Sequence, residues 1–321
     1  MHRFWLLLTV LALCNGYLNQ RSNYIHASIG ASADHALYRR NNNPVARFYT
    51  PKLEANRKGK VGESTSLTPT ELHIERVSNA IIKNSDKIIS GLSTNKYAVV
   101  DNLLGTATLI EMRKEAELLY KNGNMIVSQS TKYDRTSRDV ISYDKKNVYS
   151  CQLMGSEMYF HAPRLHEYIY SLSKTIIPLI NDNFKFASLS NTMSSTKLAV
   201  CTGDGSRYDK HYDNTGSDSR KLTILYYLNP KWHTELHGEF RIYQTKSDMK
   251  TIDTHDIEPI GDRLLCFWAD ELVHSVQESF CFNTNDHRYA LTLWLFSTSN
   301  ENIVVNQDEV KLHFPELNVT N

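Results

Sequence analysis

The nine residues 288–296, RYALTLWLF, decide how this chain folds. Alternation along a strand puts Arg288, Ala290, Thr292 and Trp294 on one face. An arginine aimed into a β-structure beside a tryptophan cannot stay unpaired without a heavy desolvation cost, so this strand calls for a buried anion. Residues 221–229, KLTILYYLN, supply a matching wall, with Thr223, Leu225 and Tyr227 on one face and Ile224 and Tyr226 on the other. The Tyr227 hydroxyl can donate to the same carboxylate that Arg288 grips with two prongs, and a dicarboxylate is the ligand that fits.

Working outward, the chain from Lys197 onward is made of short apolar or alternating runs, TKLAVC, KLTILYYL, GEFRIYQ, RLLCFW, HSVQESFCF and RYALTLWLF, separated by turn-rich connections. The preceding part has a different period. SLTPTELHIERVSNAIIKNSDKIISGL, TATLIEMRKEAELLYKNG and PRLHEYIYSLSKTIIPLINDNF return apolar residues at three and four, so they read as helices, the first stretch as one or two. YAVVDNLL reads as a short strand, and the polar run from Ser128 to Asp144 as a mobile loop. Helices followed by many short strands predict an α+β fold, a double-stranded β-helix (jelly roll) with supporting N-terminal helices. That domain is expected over 68–300, with 301–321 as a C-terminal tail.

With 321 residues, 41% of them hydrophobic, the chain can bury a full core. The net charge of +1 hides an asymmetry: residues 1–60 hold nine Lys and Arg against two acids, leaving 27 basic and 33 acidic residues in the rest. A mildly acidic body argues against a nucleic-acid surface. MHR followed by FWLLLTVLALC reads as a signal peptide over 1–16, too short to span a bilayer comfortably, so no stable membrane anchor is expected after its removal. Residues 17–67 then form a basic, disordered leader without sustained hydrophobic period. A transit peptide and the tail of a secreted protein share that composition, and the pair resembles the two-part leader that directs proteins to a relict plastid; secretion or the ER lumen is the alternative. Cys151, Cys201, Cys266 and Cys281 lack the spacing of a zinc site or a dense disulfide framework and read as free thiols.

The stretch DKHYDNTG, 209–216, places His211 and Asp213 two apart, so on a strand an imidazole nitrogen and a carboxylate oxygen would face one ion. His274, 61 residues after Asp213, supplies a third ligand. Two histidines and one carboxylate are the facial triad of non-haem ferrous oxygenases, which leaves positions open for other ligands. A histidine in a strand is more often simply hydrogen-bonded, and it is the neighbouring Arg288 strand that raises the metal reading. HGE at 237–239 also has HxE spacing, but no second histidine at suitable spacing leads into an arginine strand, so His237 and Glu239 read as surface residues.

The runs DKHYDNTGSDSRKLTILYYLNPKWHTELHGEFRIY, IEPIGDRLLCFWADELVHSVQ and HRYALTLWLF together resemble the catalytic domain of the egg-laying-defective-nine type of prolyl 4-hydroxylase, a family of 2-oxoglutarate and iron(II) dioxygenases. The resemblance covers roughly residues 76–299. It implies Fe(2+) held by His211, Asp213 and His274, and the distal carboxylate of 2-oxoglutarate held by Arg288 and Tyr227, with Thr223 and Thr292 on the co-substrate side. It further implies O2 as co-substrate, L-ascorbate as reductant, and a protein substrate with an exposed proline loop, hydroxylated as 2-oxoglutarate is decarboxylated to succinate. A monomer is expected. In the family, the segment corresponding to Ser128–Asp144 closes over the peptide, which makes Arg138 and Asp139 candidate substrate-loop residues.

Three positions depart from the family pattern. Cys201 stands ten residues before His211, where the family has a tyrosine that helps hold the co-substrate, and a thiol is a poor replacement donor. The interval from His274 to Arg288 is longer, through a loop around FNTND, and Thr215 replaces a proline. The alternatives are therefore hydroxylation of another residue or of a small molecule, or a catalytically weak binding module of the same fold.

Overall fold

Thr68 opens the folded body because its hydroxyl accepts the Glu71 amide at 3.2 Å while the Glu71 carboxylate accepts the Thr68 amide at 2.9 Å. This reciprocal pair, followed by Pro69 at the first helical position, starts a helix and stops it from fraying. The computed structural model describes residues 67–134, 139–153 and 155–315. Helices α1 (Pro69–Lys83), α2 (Ser85–Asn95), α3 (Thr106–Lys121), α4 (Gly155–His161) and α5 (Pro163–Asn183) precede most of the strands, and α6 (Gln307–His313) follows them. None of the helices among the described residues is long and apolar enough to cross a membrane.

The strands are β1 (Tyr97–Val100), β2 (Ile126–Asp134), β3 (Asp139–Cys151), β4 (Leu189–Cys201), β5 (Ser206–His211), β6 (Arg220–Tyr227), β7 (Phe240–Thr245), β8 (Ile252–Ile257), β9 (Leu264–Trp268), β10 (Val273–Ser279) and β11 (Arg288–Ser297). They form a larger sheet of order β1-β9-β6-β11-β4-β3-β2 and a smaller one of order β5-β10-β7-β8. Strand neighbours that are distant in sequence, such as β11 between β6 and β4, are what a double-stranded β-helix requires.

Two apolar cores follow from the period of two. Leu222, Ile224, Tyr226 and Leu228, with Tyr289, Leu291, Leu293 and Leu295, point outward and pack with Val77, Ile81, Met112, Leu172 and Ile176 of the helices. Their alternates, Leu225, Tyr227 and Ala290, point inward and meet Phe240, Ile242 and Val276 of the smaller sheet. The central strands are thus covered on both faces, so their sequences read as nearly continuous apolar runs. Inside the larger core, Lys221 and Asp270 form a fully buried ion pair at 2.7 Å, and the same Asp270 oxygen accepts the Val304 amide at 2.8 Å.

Several elements differ from the sequence reading. The polar run 128–144 is not a loop throughout: β2 and β3 enter it from both sides, and residues 129–144 form a separate compact unit. Gln129 Nε2 donates to Asp144 Oδ1 at 3.0 Å within it. Backbone groups that pair in a ladder need no apolar side chains, and the β-branched and aromatic residues Val127, Thr131, Val140, Ile141 and Tyr143 suit strands. Strands β5 and β8, SRYDKH and IDTHDI, carry too many charges to show an apolar period, as suits the two edges of the smaller sheet. Residues 301–315 are not a loose tail: Lys210 Nζ donates to His313 O at 3.2 Å, and His313 Nε2 lies 2.9 Å from Thr245 Oγ1. The signal peptide and leader read over 1–16 and 17–67 lie outside the described residues, apart from Leu67.

Candidate metal centre

Strand β5 ends at His211, so Asp213 lies in the following turn and not on the strand itself. Asn214 builds that turn. Its side-chain amide donates to Asp218 O at 2.9 Å and Arg220 O at 2.7 Å, its carbonyl oxygen accepts the Gly216 amide at 2.8 Å, and its own amide donates to Ala269 O at 2.9 Å. His274, on β10, is the register partner of His211 across the β5–β10 ladder. The three side chains therefore meet through strand pairing and one pinned turn, with His211, Asp213 and His274 each offering a ligand atom within 4.8 Å of the others.

Hydrogen bonds around these groups select which atoms face inward. His211 Nδ1 is 2.7 Å from Asp209 O, and His274 Nδ1 is 3.1 Å from Leu272 O. A carbonyl only accepts, so Nδ1 carries the proton in each ring and Nε2 keeps its lone pair. Both Nε2 atoms turn to the same carboxylate oxygen, Asp213 Oδ1, at 3.6 and 3.9 Å. The other oxygen, Oδ2, accepts Thr223 Oγ1 at 2.6 Å and Trp294 Nε1 at 3.0 Å. His274 is clamped between Phe240, stacked at 4.7 Å, and Phe267, edge-on at 4.9 Å.

The electrostatics suit a cation. Burial pushes the His274 imidazole down to about 4, helped by nearby His211, so it is a neutral ligand at physiological pH. Burial works to raise Asp213, but the two imidazoles, His211 first, outweigh it and hold the carboxyl well below the usual range. Two imidazoles and one carboxylate, oriented by hydrogen bonds on their far sides, match the donor set of a divalent first-row transition metal. The His211 side chain is 40% exposed against 5% for His274, so the open coordination side lies toward His211.

Arg288 and Tyr227 converge beside this centre. The guanidinium carbon of Arg288 is 5.3 Å from the Tyr227 ring centroid, and Arg288 Nε donates to Gly238 O at 2.8 Å. The buried Arg288 guanidinium thus lies beside the fully buried Tyr227 hydroxyl, which among the described residues finds no hydrogen-bond partner. Burial pushes the Tyr227 phenol up to about 12, with Arg288 pulling the other way, so it remains a donor. A buried guanidinium beside a buried hydroxyl without a partner calls for an anion that accepts from both.

The remaining sequence candidates fall differently. Thr223, expected on the co-substrate side, donates its hydroxyl to Asp213 Oδ2 at 2.6 Å. Thr292 is half-buried on the face of β11 between Ala290 and Trp294. Arg138 lies outside the described residues, and only the backbone of Asp139 is placed, at the start of β3. Cys201 is buried and pairs with Arg288 in register, and all four cysteines from Cys151 onward are free. The inserted loop is no free hairpin tip, because buried Arg113 donates to Asn285 O at 3.1 Å and His287 O at 2.8 Å. His237 is exposed, but Glu239 is only 16% exposed, and Gly238 between them fixes Arg288. The sequence carried a sign of this role for Gly238 only in its glycine. A separate open cleft of about 770 Å³, lined by Lys87, Asp101, Glu239 and His255 among others, contains none of the triad.

Residues 196–296 match the family model of the 2OG-Fe(II) oxygenase superfamily. The chain is similar to prolyl hydroxylases of the egl-nine type, as the sequence resemblance implies. It is 40% identical over 105 residues to prolyl hydroxylase EGLN3 of Mus musculus, covering 32% of this chain and 40% of that one. It is 29% identical over 218 residues to a hypoxia-inducible factor prolyl hydroxylase of Caenorhabditis elegans (67% and 28% of the two chains). Over 219 residues it is 29% identical to Egl nine homolog 1 of Homo sapiens (65% and 46%). The matched part thus spans less than half the length of each of these relatives. Among solved structures, a Trichoplax adhaerens prolyl hydroxylase in complex with a hypoxia inducible factor peptide fragment shares the fold, with TM-score 0.57, 23% identity, and 75% of this chain and 99% of that one covered.

Proposed function

We propose that this protein is a 2-oxoglutarate- and Fe(II)-dependent peptidyl-prolyl 4-hydroxylase. The observation that carries the reading is the shared focus of His211 Nε2 and His274 Nε2 on Asp213 Oδ1, next to the buried Arg288 guanidinium and the unsatisfied Tyr227 hydroxyl. His211, Asp213 and His274 would hold the ferrous ion, which with dioxygen and 2-oxoglutarate supplies an oxidant strong enough to hydroxylate an unactivated carbon, leaving succinate and carbon dioxide.

The chain's own part is positioning. Thr223 and Trp294 keep Asp213 turned with Oδ1 inward, while Asp209 O and Leu272 O hold the two imidazoles in the ligating tautomer. Arg288, steadied by Gly238 O, and Tyr227 take the distal carboxylate of the keto acid and so fix its orientation. Phe240, Phe267 and Leu225 make the inner wall apolar, which excludes water. Similarity to prolyl hydroxylases supports a protein segment with an exposed proline as substrate, O2 as co-substrate and ascorbate as reductant. We further propose that the chain acts as a monomer and that residues 1–67 carry it into the secretory pathway and on to a relict plastid. The deciding experiment is iron-dependent succinate release coupled to a mass gain of one oxygen on a proline-containing protein. Activity surviving in His211→Ala would refute the assignment.

A further inference from the structure

Strand β4 presents Lys197, Ala199 and Cys201 opposite Thr292, Ala290 and Arg288 of β11. Cross-strand partners share a face, so these residues belong to the same inner wall. The stretch from Arg288 to Trp294 spans about 20 Å at strand rise. Trp294 touches the Asp213 carboxylate at one end, Arg288 holds the other, and Lys197 enters between them, nearer the metal end. Lys197 Nζ donates to the buried Ser128 hydroxyl at 3.0 Å and lies 5.4 Å from the Tyr208 ring centroid. Lys145 Nζ lies 4.1 Å from that same ring. Tyr208 sits on β5, three residues before His211.

Two ammonium groups thus converge on one aromatic ring at the approach to the metal centre. Neither arrangement is favourable by itself: burial pushes Lys145 down to about 7, with Lys197 adding like-charge repulsion, and burial pushes Lys197 down to about 8. Among the described residues, no carboxylate comes within ion-pair distance of the Lys145 ammonium, and a ring face offsets only part of a cation's desolvation. An anion between the two amines would relieve both costs.

On the reading that this is a 2-oxoglutarate-dependent site, we propose that Lys145 and Lys197 form a second carboxylate subsite, which takes the metal-proximal carboxylate of the keto acid. Arg288 and Tyr227 occupy the far end, so the amines meet the end nearer Asp213.

The test uses the full chain loaded with Mn(II), which supports binding without turnover, and three probes: 2-oxoglutarate, 2-oxopentanoate with only the proximal carboxylate, and 4-oxopentanoate with only the distal one. Calorimetric titration of Lys197→Met and Lys145→Met should show tenfold or greater weakening for 2-oxoglutarate and 2-oxopentanoate and less than twofold change for 4-oxopentanoate. Arg288→Met should weaken 2-oxoglutarate and 4-oxopentanoate tenfold or more and change 2-oxopentanoate less than twofold. Lys145→Met decides the matter if Lys197→Met does not fold. Unchanged 2-oxoglutarate affinity in the lysine variants, with Arg288→Met impaired, overturns the subsite and leaves the oxygenase reading standing. If the lysine variants instead raise only the KM of an acidic polypeptide substrate, the amines serve that substrate and the proposal is wrong. Failure of the Mn(II)-loaded wild type to bind 2-oxoglutarate overturns both.

Discussion

Replacing Thr223 with valine keeps the branched shape of a fully buried side chain and deletes one hydrogen bond, the 2.6 Å donation to Asp213 Oδ2. A hydrogen bond to a charged group contributes about 1.5–3 kcal/mol. Trp294 Nε1 still donates to the same oxygen at 3.0 Å, so the carboxylate is loosened and not abandoned. Losing a partner that orients a metal ligand weakens metal binding by about 10–100-fold, and at about 1.4 kcal/mol per tenfold this equals the lost bond. The expected result is therefore a 10–100-fold rise in the Kd for Fe(II), measured anaerobically by calorimetry. Thr292→Val, on the same wall but without a bond to Asp213, serves as the control and should leave the Kd unchanged. Adding Trp294→Phe to Thr223→Val strips Oδ2 of both donors and should cost more than the two single changes summed, because each donor covers for the other. A Thr223→Val protein that binds metal within threefold of wild type and melts at the same temperature would show that Asp213 is not positioned in this way.

Three other outcomes follow from the geometry. In Gly238→Ala, a Cβ would lie 2.9 Å from Arg288 Cδ and 2.9 Å from Ser279 Cβ on a backbone at φ +80°, so Arg288 must shift; KM for 2-oxoglutarate should rise at least tenfold, and an unchanged KM would free Gly238 of this role. Lys221→Met leaves Asp270 buried without its cation and should cost about 3–5 kcal/mol in urea unfolding, whereas Lys221→Met with Asp270→Asn should recover most of it; equal losses in both would refute the argument. The folded pKa of His313, pushed down to about 4 by burial and by Lys210, is below the value near 6.5 of an unfolded histidine, so the unfolded state binds more protons between those limits. Stability from this contact is full above pH 6.5 and is lost as pH falls toward 4. Amide exchange over residues 304–313 should accelerate in that window, and His313→Gln should flatten the profile.

Local periodicity explains how much of this was legible. Helices α1, α2, α3 and α5 announce themselves by apolar residues three and four apart, and β6, β9 and β11 by runs buried on both faces. The triad was legible because ligand chemistry restricts residue types, and Arg288 because a cation in an apolar strand implies an anion. Strand β5 was harder, since at the edge of the smaller sheet its charges face solvent, and the turn that carries Asp213 depends on Asn214, whose contacts reach Ala269 far along the chain. Trp294 read as a wall residue and proved to be a hydrogen-bond donor to Asp213, while Gly238 read as part of a decoy and proved to brace Arg288.

What the sequence determined by itself is therefore the long helices, the strands buried on both faces, and the ligating and anion-seeking side chains, because all of these follow from short-range period and residue chemistry. Tertiary structure alone decided which oxygen of Asp213 faces the imidazoles, what steadies Arg288, and why Lys145 and Lys197 share the Tyr208 ring. Those facts arise from strand register between segments tens of residues apart. Register is a property of the assembled sheets, where a shift of one residue would turn every one of these side chains to the opposite face.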